Sequence, residues 1–248
     1  MPATLQDVLT RAFQGRHGSA AVLRMSDGDL AARHRPDWMK AHESPPGSAV
    51  KPFTLKAILR AGAGTALCRR TLVIEGQQLD CSHPPASEPL DAAAALALSC
   101  NSWFAEMIPR VRPEVLVREF QAHGLRAGTA RSQTALSLQG LGITGVACTP
   151  LALARAYRRL ALDKAKPEST PFAAIYQGLS DSVRHGTSIA ASAGDGVSGK
   201  TGTTKEGAWF AGFNGSIALA IFLFQGTGGG DAAPIAGKVF AAWRDGLR

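Results

Sequence analysis

Apolar positions change their period several times along this chain, and each change marks a predicted element. Leu5, Val8, Leu9, Ala12 and Phe13 recur at helical spacing behind Thr4, which predicts a capped N-terminal helix. Residues 19–25 and 29–33 flank Ser26-Asp27-Gly28, the chemistry of a tight hairpin. Ser44-Pro45-Pro46-Gly47 is a stiff loop, and a long periodic stretch opens after it at Ser48. Pro52 fits only the first turn of a helix, so Ser48 is expected at or beside that helix's N-terminus. Between Cys68 and Pro89 the chain is polar and proline-bearing, with one short strand expected at 71–75. The pattern is then helical over 91–107, 114–122 and 149–162. After Gly178 three strands are expected, at 196–204, 208–212 and 216–224, before a closing helix at 234–243. One α/β domain over residues 1–248 follows, with sheet-bearing segments 1–90 and 179–248 and an all-helical lobe at 91–178.

Composition narrows the class. At 248 residues and 45% hydrophobic, with 19% charged, the chain is too apolar to be disordered and long enough to bury its own core. Its longest apolar run, 217–224, is far short of the ~20 residues a membrane span requires. The formal charge of +8 invites a nucleic-acid partner. The basic residues are scattered, however, and the densest helical group, Arg155, Arg158 and Arg159, has no interleaved aromatic residues on which bases would stack. No nucleic-acid partner is expected. Cys68, Cys81, Cys100 and Cys148 include no Cys-x-x-Cys pair and fix no disulfide pairing. Cys81-Ser82-His83, lacking a second pair, is a weak metal signal, and neither a metal nor a cofactor is expected. The N-terminal segment has no signal-peptide core.

Three boxes carry chemistry: Ser48-Ala49-Val50-Lys51, Ser99-Cys100-Asn101 and Lys200-Thr201-Gly202. By chance each would occur about 0.5, about 0.14 and about 0.05 times in this composition, so the set is informative where its members are not. Ser48 and Lys51 are neighbours on one helical face, where a neutral lysine amine can take a serine proton. That amine must be kept neutral by burial or by a second cation, and Lys200 is a candidate for the latter. A helix N-terminus at Ser48 also offers free N–H groups to a developing oxyanion. Ser99 and Asn101 interrupt a helical stretch and are expected to face a cleft. Lys200-Thr201-Gly202-Thr203-Thr204 reads as a strand whose edge could take a carboxylate.

These boxes, in the contexts Pro46-Gly47-Ser48-Ala49-Val50-Lys51-Pro52-Phe53, Leu98-Ser99-Cys100-Asn101-Ser102-Trp103-Phe104 and Ser198-Gly199-Lys200-Thr201-Gly202-Thr203-Thr204, resemble the active-site motifs of penicillin-binding protein transpeptidase domains and the related serine β-lactamases. The stretches 149–157, 208–212 and 228–235 are similar as well. The resemblance implies an antiparallel sheet flanked by N- and C-terminal helices with an inserted helical lobe. It also implies a D,D-transpeptidase or carboxypeptidase acting on peptidoglycan stem peptides, with β-lactams as covalent inhibitors or substrates. In those roles Ser48 is the nucleophile, Lys51 the base and Ser99 a proton relay, while Asn101 holds the substrate amide. Lys200, Thr201 and Thr203 bind the terminal carboxylate, and the backbone N–H groups of Ser48 and Thr203 form the oxyanion hole. Such chemistry is extracytoplasmic, so a targeting segment is expected outside this chain.

The inserted helical segment is short for a cell-wall transpeptidase and nearer in size to compact class D β-lactamases and their sensor relatives. Asn101 departs from the apolar residue of class D, and no class A deacylating glutamate motif is evident. An acyl-enzyme would therefore persist. Two rivals come from other classes: a non-catalytic wall-binding protein, and an NTPase, since Gly194 to Thr201 fits a phosphate-loop pattern, but the latter is disfavoured because strands rather than a helix are expected after Thr201. The glycine-rich 226–230 segment is expected to be a flexible connection.

Overall fold

The computed structural model describes residues 3–194 and 196–248. Helix α1 (Leu5–Ala12) starts where Thr4 and Asp7 close a reciprocal capping box. Strands β1 (Gly18–Arg24) and β2 (Leu30–His34) form the expected hairpin, with Asp27 Oδ1 accepting from the Asp29 amide at 2.8 Å in the turn. Helix α2 (Pro36–Ala41) follows, then a 3₁₀ turn at Gly47–Val50 that runs directly into α3 (Lys51–Ala61). The segment after α3 holds only the two-residue strands β3 (Val73–Ile74) and β4 (Gln77–Gln78).

The stretch read as one helix over 91–107 is two. Helix α4 (Ala92–Ala97), capped by Asp91, stops at Leu98, and α5 (Asn101–Met107) restarts after Ser99 and Cys100. Then come α6 (Pro113–Ala122), β5 (Arg126–Ala127), α7 (Gln133–Gly140), β6 (Val146–Ala147), α8 (Pro150–Asp163) and α9 (Ala173–Arg184). Strands β7 (Ser198–Thr204), β8 (Gly207–Phe213) and β9 (Ile217–Leu223) and helix α10 (Ala233–Arg244) complete the chain. The boundary expected at 178/179 falls inside α9, because Gly178 sits against the Ala93 carbonyl and lets α9 lie close along α4 without interruption.

The main sheet is antiparallel, in the order β2-β1-β9-β8-β7. Its central strands are buried on both faces, which is why they read as nearly continuous apolar runs. In β9, Ile217, Leu219, Ile221 and Leu223 pack with α1 and α10, while Ala218, Ala220 and Phe222 join the core shared with the helical lobe. Small residues on that second face let α8 lie close to the sheet, and β7 is left as an edge.

Candidate active site

The Ser48 turn is fastened on three sides. Trp209 Nε1 donates to Pro45 O at 2.9 Å, the Gly47 amide donates to Gly142 O at 2.9 Å, and Tyr157 OH donates to Ala49 O at 2.7 Å. Edge strand β7 runs directly against this turn. A Cβ on Gly202 would lie 2.2 Å from Pro46 O, and one on Gly47 would lie 3.0 Å from the Thr203 nitrogen, so only glycines permit the approach. Gly47 also has φ +54, a conformation that favours glycine.

Lys51, in the first turn of α3 and three residues on from Ser48, is fully buried. Its Nζ contacts Ser99 O at 2.9 Å, Ser99 Oγ at 3.3 Å and Asn101 Oδ1 at 2.5 Å. Burial lowers its pKa from the ordinary lysine value to about 7, against the opposing pull of the Cys100 and Cys81 sulfurs. A neutral amine has two hydrogens, and the two amide oxygens take them, so its lone pair is left for a hydroxyl. The break between α4 and α5 creates this arrangement. Ser99 adopts φ +57, turning the chain so that its carbonyl and hydroxyl and the Asn101 amide all meet Lys51.

Lys200, on β7, pairs across the sheet with Ala211 on the face toward the helical lobe and is fully buried. Its Nζ donates to Thr187 Oγ1 at 3.1 Å and Thr201 O at 3.3 Å. Burial, and then the charge of Lys51, hold its pKa well below the usual value. Thr201 Oγ1 donates to Thr187 Oγ1 at 3.0 Å, and Thr203 Oγ1 accepts from the Gly228 amide at 3.0 Å.

Ser48, Ser99, Asn101, Thr201 and Thr203 line one cleft of about 580 Å³, with Lys51 and Lys200 beneath it. The sequence-derived residues are therefore brought together. Thr187 and the strip formed by Gln78, Leu79, Asp80 and Ser82 also line the cleft and were not anticipated, since no local pattern marks them. The 226–230 segment is not a loose tether. Thr227 Oγ1 caps the turn at Gly228–Ala232, and Thr227 and Gly229 form part of the cleft wall. The phosphate-loop pattern forms no such loop: Lys200 lies inside β7 and the chain continues into antiparallel β8 rather than opening a helix.

Set beside known families, residues 30–241 match the penicillin binding protein transpeptidase domain. The chain belongs to that family. Its fold is that of solved penicillin-binding proteins. Pseudomonas aeruginosa PBP2, in a complex with WCK 5153, superposes with a TM-score of 0.84 at 19% identity, covering 96% of this chain and 73% of that one. Penicillin-binding protein A from M. tuberculosis, an imipenem acyl-enzyme complex, gives 0.79 at 21% identity over 96% and 77% of the two chains. The D,D-transpeptidase domain of a peptidoglycan glycosyltransferase from Eggerthella lenta gives 0.83 at 19% identity over 98% and 82%. No curated protein matches the chain. Among the described residues of this transpeptidase domain, no helix is long and apolar enough to cross a membrane.

One further grouping lies outside the expected site residues. Cys68, Cys81, His83 and Cys100, spread over the sequence, converge beside the cleft with their donor atoms within 4.8 Å of one another. The pattern was invisible locally because Cys68 lies thirteen residues before Cys81 and Cys100 seventeen residues after His83.

Proposed function

We propose that this transpeptidase domain is a serine D,D-acyltransferase, acting on peptidoglycan stem peptides through an acyl-enzyme on Ser48 and binding penicillin covalently. The observation that carries this reading is the buried Lys51, with a pKa of about 7, set one helical turn from Ser48 and in contact with Ser99. Ser48 Oγ attacks the carbonyl carbon of the D-alanyl-D-alanine amide while Lys51 Nζ takes its proton. The tetrahedral oxyanion is received by the Ser48 and Thr203 backbone N–H groups, a reading supported by the close glycine contacts between the Ser48 turn and β7. Ser99 then relays a proton to the leaving nitrogen, and an amine or water later accepts the acyl group. Asn101 holds the substrate amide, and Lys200, Thr201 and Thr203 hold its terminal carboxylate.

Persistence of the acyl-enzyme is supported by the cleft wall. Asp80, the acidic side chain among its described lining residues, already accepts from the Leu72 amide at 2.9 Å and Gln78 Nε2 at 2.7 Å, and these bonds hold its pKa low. It is a poor base for activating water, which favours transfer over rapid β-lactam hydrolysis. This chemistry belongs outside the cytoplasm, where stem peptides are.

The test is to incubate the protein and Ser48→Ala with a fluorescent penicillin and resolve both on a denaturing gel. A stable adduct on the parent alone is expected. No adduct on the parent removes the acyl-enzyme reading, an adduct on Ser48→Ala removes Ser48, and an adduct that decays within minutes replaces the transferase with a β-lactamase.

A further inference from the structure

The 30-odd residues between α3 and α4 carry almost no secondary structure, only the β3–β4 ladder and an isolated bridge between Ala66 and Leu90. Yet this segment supplies a wall of the cleft, through Leu79, Asp80 and Ser82, and Leu79 O holds the Asn101 amide at 2.9 Å. A long connection with few ladder bonds needs another constraint to keep such a wall in place.

The cysteine and histidine side chains of that segment meet Cys100 at one point. Sγ of Cys81 and Sγ of Cys100 are 3.8 Å apart, far beyond a disulfide bond. For metal–sulfur bonds of about 2.3 Å, the edge of a tetrahedron is about 3.8 Å. Each sulfur accepts from a backbone amide: Arg70 N to Cys68 at 3.3 Å, Ser102 N to Cys81 at 3.4 Å and Trp103 N to Cys100 at 3.4 Å. Such donors fix the orientation of the sulfurs as ligands.

His83 supplies the independent observation. The ring is 4% exposed, and its Nδ1 lies 2.7 Å from the Pro84 carbonyl, an acceptor, so Nδ1 carries the hydrogen. Nε2 is then a bare lone pair, buried and without a hydrogen-bond partner, on an imidazole that has a ring nitrogen within 4.8 Å of the three sulfurs. Burying that nitrogen among thiols alone leaves it unsatisfied, whereas a metal ion satisfies all four donors together.

We propose that Cys68, Cys81, His83 and Cys100 form a closed tetrahedral site for a thiophilic divalent ion, zinc by its three-thiolate, one-imidazole donor set, and that this site positions the Ser99-Cys100-Asn101 box. Loading releases three thiol protons and leaves a net charge of −1 at the site. Cys100 is the middle residue of the box, so ligation fixes the backbone that places Ser99 in its left-handed conformation and aims both neighbours at Lys51. The same ion anchors Cys81 and His83 on either side of the cleft-lining Ser82.

The protein, purified without chelators in reducing buffer and gel-filtered, is expected to carry about one zinc per chain by elemental analysis, released by a mercurial thiol reagent. Exchange for Co(II) is expected to give tetrahedral d–d bands and an intense thiolate charge-transfer band. Cys68→Ser and His83→Ala should lose metal to a competing chelator at least tenfold more readily, while Cys148→Ser, whose thiol lies elsewhere in the core, should not. A parent protein that retains no zinc and gives no Co(II) charge-transfer band overturns the site, as does a Cys81–Cys100 disulfide in protein prepared with zinc present. If the ligand variants do not fold, the Co(II) spectrum of the parent decides. Stripping the metal is expected to slow Ser48 acylation by tenfold or more, and an unchanged rate overturns the positioning role. Only that last measurement rests on the acyl-enzyme reading, so the two proposals fail separately.

Discussion

Lys51 Nζ and Asn101 Oδ1 face each other at 2.5 Å, and the far side of the Asn101 amide donates to Leu79 O at 2.9 Å. The carbonyl at Leu79 accepts only, so Asn101 must present its oxygen to the lysine. Asn101→Asp places a carboxylate where that oxygen lies and stabilises protonated Lys51. The acid limb of the acylation profile should move up by about one pH unit or more, read from labelling rates across pH. Asn101→Ala removes both bonds and should slow acylation about 10- to 100-fold, in line with the ~1.5–3 kcal/mol of a hydrogen bond to a chargeable group.

The parent enzyme has its own pH signature. In the proposed mechanism Lys51 acts as base only when neutral, and burial places its pKa at about 7. Acylation should therefore rise with pH up to about 7, falling roughly tenfold per unit below it, and level off above. Lys200, which under the same proposal must stay charged to bind carboxylate, is also depressed, so an alkaline fall should appear well before the usual lysine range. Initial labelling rates with fluorescent penicillin over a pH series check both limbs.

Gly202→Ala tests the contact between β7 and the Ser48 turn. Its methyl would lie 2.2 Å from Pro46 O and 2.9 Å from Ala49 N, both backbone atoms with little room to give. The strand must move away, separating Thr203 from Ser48. Acylation should fall at least about 100-fold, with a stability loss of about 1–3 kcal/mol by urea denaturation.

Tyr157→Phe removes the hydroxyl that satisfies Ala49 O from behind the turn. The carbonyl is left buried without its donor, so about 1–2 kcal/mol of stability should be lost, measured by urea denaturation. Acylation should slow by a smaller factor than in Gly202→Ala, because the turn keeps its fastenings through Pro45 and Gly47.

Local chemistry was enough to read the hairpin at Ser26-Asp27-Gly28 and the strands at the C-terminal end, because turn residues and apolar alternation act between near neighbours. The same holds for the three boxes, whose residue types and order are a property of the chain. Burial of Lys51 and Lys200 was not legible in this way. It depends on α3, α5 and β7 closing over both amines, and that burial tunes the pKa of each. Thr187 enters the site only because the end of α9 lies against β7, and the Gln78-to-Ser82 wall only because an irregular segment is held across the cleft. The convergence of Cys68, Cys81, His83 and Cys100 is of the same kind. By itself the sequence determined which reactive groups are present and the elements that carry them. Their distances, their exposure and hence their protonation come from contacts between residues far apart in the chain, and these the tertiary structure alone decided.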